Sequence, residues 1–407
     1  MLRKIITKIK SNGFFDLLFC FLTLIIPFSK SISNILLIVL SLIFILDYKN
    51  FKNLFFKKLF SKPFLLLLIL VMFWIIKSII TNSFFDTKFT IFIPMFFIPM
   101  LYLKVKKQNY IYFSFLVLGL INSFIAVFGL IKNYILTGYL LSFEGDEINK
   151  TLGMERPYLA FILLICILIS LKLIRMYPIF RFFLLGYIVF NSIFIYLISA
   201  RISAISLIIV GIVYLVFYIK LSFKVKIIYF IMLMSFLSIT LITNKNLRER
   251  FFITSNFEKS LFEFKLHEPR FIIWDCAYNI SKSNEFNVFF GLNSEKQLDE
   301  LFSNWYVIKL SNKHRANYFI STHKNTHNQF IDIYLVSGFI GLFIFLLYFV
   351  IQIKKMKKTF FNSSIIISLI LFLVVENVLR RQMGIYIFGL LFSFINLSIV
   401  DSDEVNS

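Results

Sequence analysis

Apolar runs alternate with short basic stretches from one end of the chain to the other. The runs cover residues 14–28, 32–47, 63–80, 89–103, 110–136, 157–172, 182–199, 203–219, 227–243, 328–351, 363–379 and 384–400. A helix needs roughly 17–25 apolar residues to cross a bilayer, somewhat fewer where its flanks snorkel. The pattern therefore predicts an all-α integral membrane protein with about twelve transmembrane helices. Basic clusters fall at Arg3 to Lys10 and at 49–62, 104–107, 172–181, 220–226 and 354–358. With the N-terminus inside, each cluster reaches the cytoplasm, as the positive-inside rule requires. Both termini are then cytoplasmic. No small-residue cleavage site follows the first run, so 14–28 is read as a span rather than a leader.

Two outward segments break the alternation: a modest loop at 137–156 and a long one at 244–327. The expected organisation is five N-terminal helices over 1–136 and central helices over 137–243, which include the modest outer loop. The long loop occupies 244–327, C-terminal helices 328–400 and an acidic cytoplasmic tail 401–407. Within the long loop, "EPRFIIWDCAYNI" reads as an amphipathic helix, with Pro269 in its first turn. Arg270, Ile273, Trp274, Ala277 and Ile280 share one stripe. "FFGLNS" at 289–294 reads as an irregular turn. All four histidines, His267, His314, His323 and His327, lie in this loop, so chemistry is expected on the outer side.

Composition supports the class. The 407 residues are 59% hydrophobic and 16% charged, with 55 Phe. A net charge of +22 would suit nucleic acid, but its distribution in loops between apolar runs excludes that reading. Three cysteines without a framework give neither disulfides nor metal spacing.

Several charged residues stand where charge is costly. Arg201 sits between two apolar runs, and such a residue either serves a site or snorkels to phosphate headgroups. Arg156 at the outer mouth of its span carries the same pair of readings, and Arg270 at the loop-helix start either serves a site or anchors an amphipathic helix. Arg380 and Arg381 are adjacent on the outer side, against the charge trend, so either the sidedness at the chain's end differs from this scheme or the pair binds something anionic. Lys77, Asp332 and Glu376 would suit the proton or substrate path of a transporter, while Lys77 and Asp332 would equally pair or snorkel. His323 and His327 have i,i+4 spacing, but Lys324 stands where a zinc protease helix would carry Glu, and no metal or other cofactor is expected. His327 heads a helical stripe through Ile331, Tyr334, Gly338 and Gly341. The glycines would admit a neighbouring helix or a lipid tail.

"HNQFIDIYLVSGFIG" resembles the signature of the O-antigen ligase/polymerase superfamily: His-Asn, nine residues, Gly, two residues, Gly. "ISARISAISLIIVG" (198–211), "PRFIIWDCAYNI" followed by "FFGLN", and "ENVLRRQMGIYIFGLLFSF" (376–394) agree in order, and "ERPYLAF" (155–161) more weakly. The resemblance implies a metal-independent, inverting glycosyltransferase on the periplasmic face of a bacterial inner membrane. Its donor would be a glycan on polyprenyl diphosphate. Its acceptor would be a lipid A-core hydroxyl for a ligase, or a second lipid-linked glycan for a polymerase. A transporter of lipid-linked glycans is the alternative from another class. By position, Arg201 and Arg270 would neutralise the diphosphate, and His327 would be the general base, histidine being the residue type that titrates near neutrality. Arg156, Asn328, Arg380, Arg381, Gly338 and Gly341 complete the expected substrate contacts.

Overall fold

Backbone groups in hydrocarbon must be satisfied within the chain, so the apolar runs fold as helices. In the computed structural model of the protein the described residues are 12–83, 93–139, 145–198, 200–218, 222, 224–228, 231, 235, 268–310, 312–322, 325–355 and 359–397. The first helices are α1 (Asn12–Ile25), α2 (Lys30–Leu46), α3 (Tyr48–Leu59), α4 (Lys62–Ile80), α5 (Ile93–Tyr102) and α6 (Gln108–Thr137). After the short α7 (Gly145–Leu152) come α8 (Arg156–Met176), α9 (Arg181–Leu197) and α10 (Arg201–Val213). The loop contributes α11 (Pro269–Ser281), α12 (Glu295–Lys309) and α13 (Lys313–Ser321), and the chain continues as α14 (Gln329–Lys355), α15 (Phe360–Val375) and α16 (Gln382–Leu397).

Six described helices are long and apolar enough to cross a membrane, or seven if α2 and α3 are joined as one bent span. Four shorter apolar helices accompany them. The expected span at 227–243 falls largely outside the described residues. The 49–62 segment, expected as a loop, is instead helical. α3 leaves α2 at 103°, with Phe51 and Phe55 packed against Phe44 and its lysines outward. Such an amphipathic helix suits the membrane surface.

α8 is the axis of the bundle: Tyr158 through Ser170 are buried on every side, as a core helix with no polar face should be. The outer helices present bare apolar side chains, among them Ile38, Phe128 and Phe182, which is the surface expected where lipid replaces water.

Residues 268–322 form a folded cap with its own core of Ile273, Ile280, Leu298, Phe302 and Phe319, closed onto Leu335 of α14. α11 starts as expected, at Pro269. α12 is capped by Ser294, whose hydroxyl accepts from Gln297 N–H at 3.1 Å. The turn at 287–292 docks where α14 breaks. Gly338 takes φ 63° and ψ −164° there. Leu292 N–H donates to Leu335 O at 2.9 Å and Phe339 N–H to Val288 O at 2.8 Å. Lys77 fixes this junction from α4, donating to the carbonyls of Phe290 (2.5 Å), Leu292 (2.6 Å) and Val336. All three of its N–H donors are thereby used. Lys77 and Asp332 do not pair, although both line one small cavity of about 30 Å³.

The break corrects the expected stripe. A straight helix would carry His327, Gly338 and Gly341 on one face; the kink ends that register at Gly338. Nor is the space beside Gly338 open to lipid. A Cβ there would stand 2.3 Å from the carbonyl carbon and oxygen of Phe289, so the chain's own turn fills it. At Gly341 the nearest neighbours are Ser337 and, at 3.4 Å, Phe73.

Candidate active site

Four helix ends meet beneath the cap. Arg201 is the first residue of α10, and Arg270 lies in the first turn of α11. His327 stands two residues before α14, and Glu376 follows the last turn of α15 in extended conformation. Their side chains form one continuous chain of charges. Arg201 Nη1 lies 3.3 Å from Glu268 Oε2, and Arg270 Nη1 lies 3.0 Å from Glu268 Oε1. Arg270 Nη2 lies 3.7 Å from Glu376 Oε1, and His327 Nδ1 lies 3.4 Å from Glu376 Oε2. The two carboxylates are 8–9% exposed, whereas both arginines and the histidine are 25–30% exposed. The carboxylates are therefore covered, and the cations and imidazole are the more exposed members of the chain. The N-termini of α10, α11 and α14 add partial positive charge to the same place.

His327 is held in an unusual backbone conformation. Its φ is +46°, and Asn82 is the other non-glycine with positive φ among the described residues. Asn325 Oδ1 accepts its N–H at 3.1 Å. Asn328, expected as a substrate contact, instead caps α14: its Oδ1 accepts from Phe330 N–H (2.9 Å) and Ile331 N–H (3.1 Å). The His-Asn pair thus starts a helix and turns the imidazole out of it. This also corrects the i,i+4 idea, because His327 is not helical; His323 lies outside the described residues, as does His267. His314 is in α13 and exposed.

A polar seam fixes the histidine relative to Glu376. Asn377 Nδ2 donates to Thr326 Oγ1 at 2.7 Å, and Leu379 N–H donates to Gln329 Oε1 at 2.7 Å. Arg380 Nε lies 2.8 and 3.0 Å from the two oxygens of Asp332, and Arg380 Nη1 lies 2.9 Å from Asp299. Burial alone would lower the Arg380 pKa; Asp332, Glu295 and Asp299 outweigh it, and the net shift is upward. Arg380 is therefore a structural clamp between the α15–α16 turn, α14 and the cap, rather than a free anion site. Arg381 pairs with Glu155 and lies over the Tyr158 ring at 5.4 Å. Glu155 thus serves Arg381, not its neighbour Arg156. The Arg156 N–H donates to Asn149 at 3.1 Å, and its Nη1 is buried without a hydrogen-bond partner.

Arg201, Arg270 and His327, expected together, are brought together. Sequence reasoning missed Glu268 and the role of Glu376 as the carboxylate joining Arg270 to His327. Glu268 directly precedes the Pro-Arg of the loop helix, a position that identified a helix start but not an ion pair across 67 residues.

Residues 186–346 match the O-antigen ligase family model. The match bears out the resemblance to the O-antigen ligase superfamily. It covers Arg201, Glu268, Arg270 and His327, and it ends before Glu376. No curated protein matches the chain.

Proposed function

We propose that this chain, whose residues 186–346 match the O-antigen ligase family model, is a glycosyltransferase of the ligase type. It moves a glycan from polyprenyl diphosphate to a lipid A-core hydroxyl, at the periplasmic face of a bacterial inner membrane and without a metal. One observation carries the reading: two part-exposed guanidiniums and one imidazole, from three separate helix starts, are joined through two covered carboxylates.

The reaction breaks the anomeric C–O bond to the diphosphate, and the leaving group departs with the electron pair. Arg201 and Arg270 are permanently charged and present forked N–H donors that match phosphate oxygens. Glu268 holds both forks in place before substrate arrives, so little reorganisation accompanies the developing charge. The acceptor hydroxyl attacks from the opposite face, which inverts the anomeric centre, and its proton passes to His327. Glu376 faces Nδ1, so Nε2 is the nitrogen offered to the acceptor. The imidazolium then forms beside a carboxylate. The 3.4 Å approach is long for a hydrogen bond, and such contacts tighten when substrate binds.

The test is glycan transfer by purified protein in proteoliposomes supplied with donor and acceptor. The expected product carries an inverted linkage on lipid A-core. His327→Ala lowers the rate by roughly 10²–10⁴-fold. Extension of a lipid-linked glycan instead would assign the chain to the polymerases. Undiminished transfer by His327→Ala would refute the catalytic assignment.

A further inference from the structure

A second polar site lies at the far end of the bundle. α8 carries Lys172 about 24 Å from Arg156 at a rise of 1.5 Å per residue. There a cavity of about 320 Å³ opens between the start of α6 and the end of α8. Lys106, Lys107 and Lys172 line it with Tyr110, Tyr112 and Tyr177, and no lining residue is acidic. By the charge pattern this end faces the cytoplasm.

The cavity is built rather than incidental. Asp16 accepts the backbone N–H groups of Lys106 (3.2 Å) and Lys107 (3.0 Å), and Lys104 Nζ binds Asp47 at 2.5 Å. Asp16 thus fixes the backbone of the segment, Asp47 holds the buried Lys104 side chain, and the side chains of Lys106 and Lys107 are left exposed. No carboxylate pairs with either side chain among the described residues. The Lys172 ammonium lies over the rings of Tyr112 (5.0 Å) and Phe361 (4.8 Å). Lys107 Nζ donates to Tyr110 Oη at 3.2 Å. Asn109 Nδ2 donates to Tyr177 Oη at 2.8 Å, which holds the two walls together.

Beside the cavity the chain turns through an apolar shelf. Ile179 is 85% exposed, Phe180 49% and Phe182 87%. Phe113 bridges Tyr177 of the wall to Phe180 of the shelf, with ring centroids 5.4 and 6.3 Å away. A cationic pocket against an uncovered apolar surface matches a ligand with an anionic head and an apolar tail.

We propose that this cavity binds the phosphate head group of an anionic membrane lipid, whose acyl chains lie along Ile179, Phe180 and Phe182. Basic pockets between helices on the cytoplasmic side recognise such heads. A free phosphate would use the lysines but leave the shelf bare.

The test uses purified full-length protein in detergent, titrated with phosphatidylglycerol, phosphatidylcholine or inorganic phosphate and read by native mass spectrometry. Phosphatidylglycerol is expected to bind about tenfold more tightly than phosphatidylcholine. Lys106→Gln with Lys107→Gln removes about tenfold in phosphatidylglycerol affinity. Lys52→Gln with Lys57→Gln, on α3 and outside the cavity, changes it less than about twofold. Met176→Trp, which fills the cavity and leaves every charge, also weakens binding. Equal losses in the two lysine pairs, or equal affinity for the two lipids, would overturn the proposal. So would inorganic phosphate binding as tightly as the lipid, which would assign the cavity to a soluble anion.

Discussion

Glu376→Gln isolates the contribution of the carboxylate behind His327. The substitution keeps size and hydrogen-bonding capacity and removes one charge. That charge lies 3.4 Å from His327 Nδ1 and is 8% exposed. Coulomb's law gives about 5 kcal/mol between unit charges at that distance with an effective dielectric of about 20. The quarter-exposed imidazole and the nearby Arg270 guanidinium both reduce this. A loss of about 2–3 kcal/mol in the transition state remains, or roughly 30- to 150-fold in kcat. A general base takes up its positive charge only as the proton transfers, so the lost attraction falls on the transition state and the acceptor KM should change little. Glu376→Asp restores a carboxylate at a longer reach and should recover part of the rate. The assay is transfer at saturating donor in proteoliposomes, with kcat and acceptor KM determined separately. A Glu376→Gln enzyme within about threefold of wild type in kcat, alongside an inactive His327→Ala, would refute the positioning role.

Three further outcomes test the scaffold. Asn328→Ala should cost about 1 kcal/mol in stability through the lost cap, while Asn328→Ser keeps both fold and transfer; thermal unfolding and activity report these separately. Gly338→Ala forces a positive φ on an L-residue and drives a Cβ into Phe289, so the unfolding midpoint falls and yield drops. Gly211→Ala meets nothing within 4 Å and leaves the midpoint unchanged or slightly raised. Asp332→Ala strips a partner from the buried Arg380 and should destabilise by about 3–5 kcal/mol, whereas the Asp332→Ala, Arg380→Ala double variant loses less than the sum of the singles.

Hydropathy located most helices to within a few residues: 157–172 became Arg156–Met176, and 182–199 became Arg181–Leu197. Lipid demands long apolar helices, and that demand is written as composition. Features that depend on partners distant in sequence were hidden. The lysines of α3 read as a loop because its aromatic face packs only once α2 turns back over it. The Ser-Gly of α14 read as a continuous helix because the break exists only with the 287–292 turn in place. In the site, Arg201, Arg270 and His327 were expected together through the family resemblance. Glu268 and Glu376 were not assigned as their partners, because nothing local tells which cation a carboxylate will meet after folding. Arg380 and Arg381 show the same limit from the other side: they looked like a free anion site, and each has a carboxylate from elsewhere in the chain.

The decisive measurement separates donor binding from transfer within one preparation. Donor affinity and the single-turnover rate would be measured for the wild type, His327→Ala, and Arg201→Ala with Arg270→Ala. The expected result is that His327→Ala binds the polyprenyl diphosphate glycan normally and fails to transfer it, while the double arginine variant loses donor affinity by at least about tenfold. Normal donor affinity in the arginine variant, or transfer at the wild-type rate by His327→Ala, would contradict the assignment of this charge cluster as the catalytic centre.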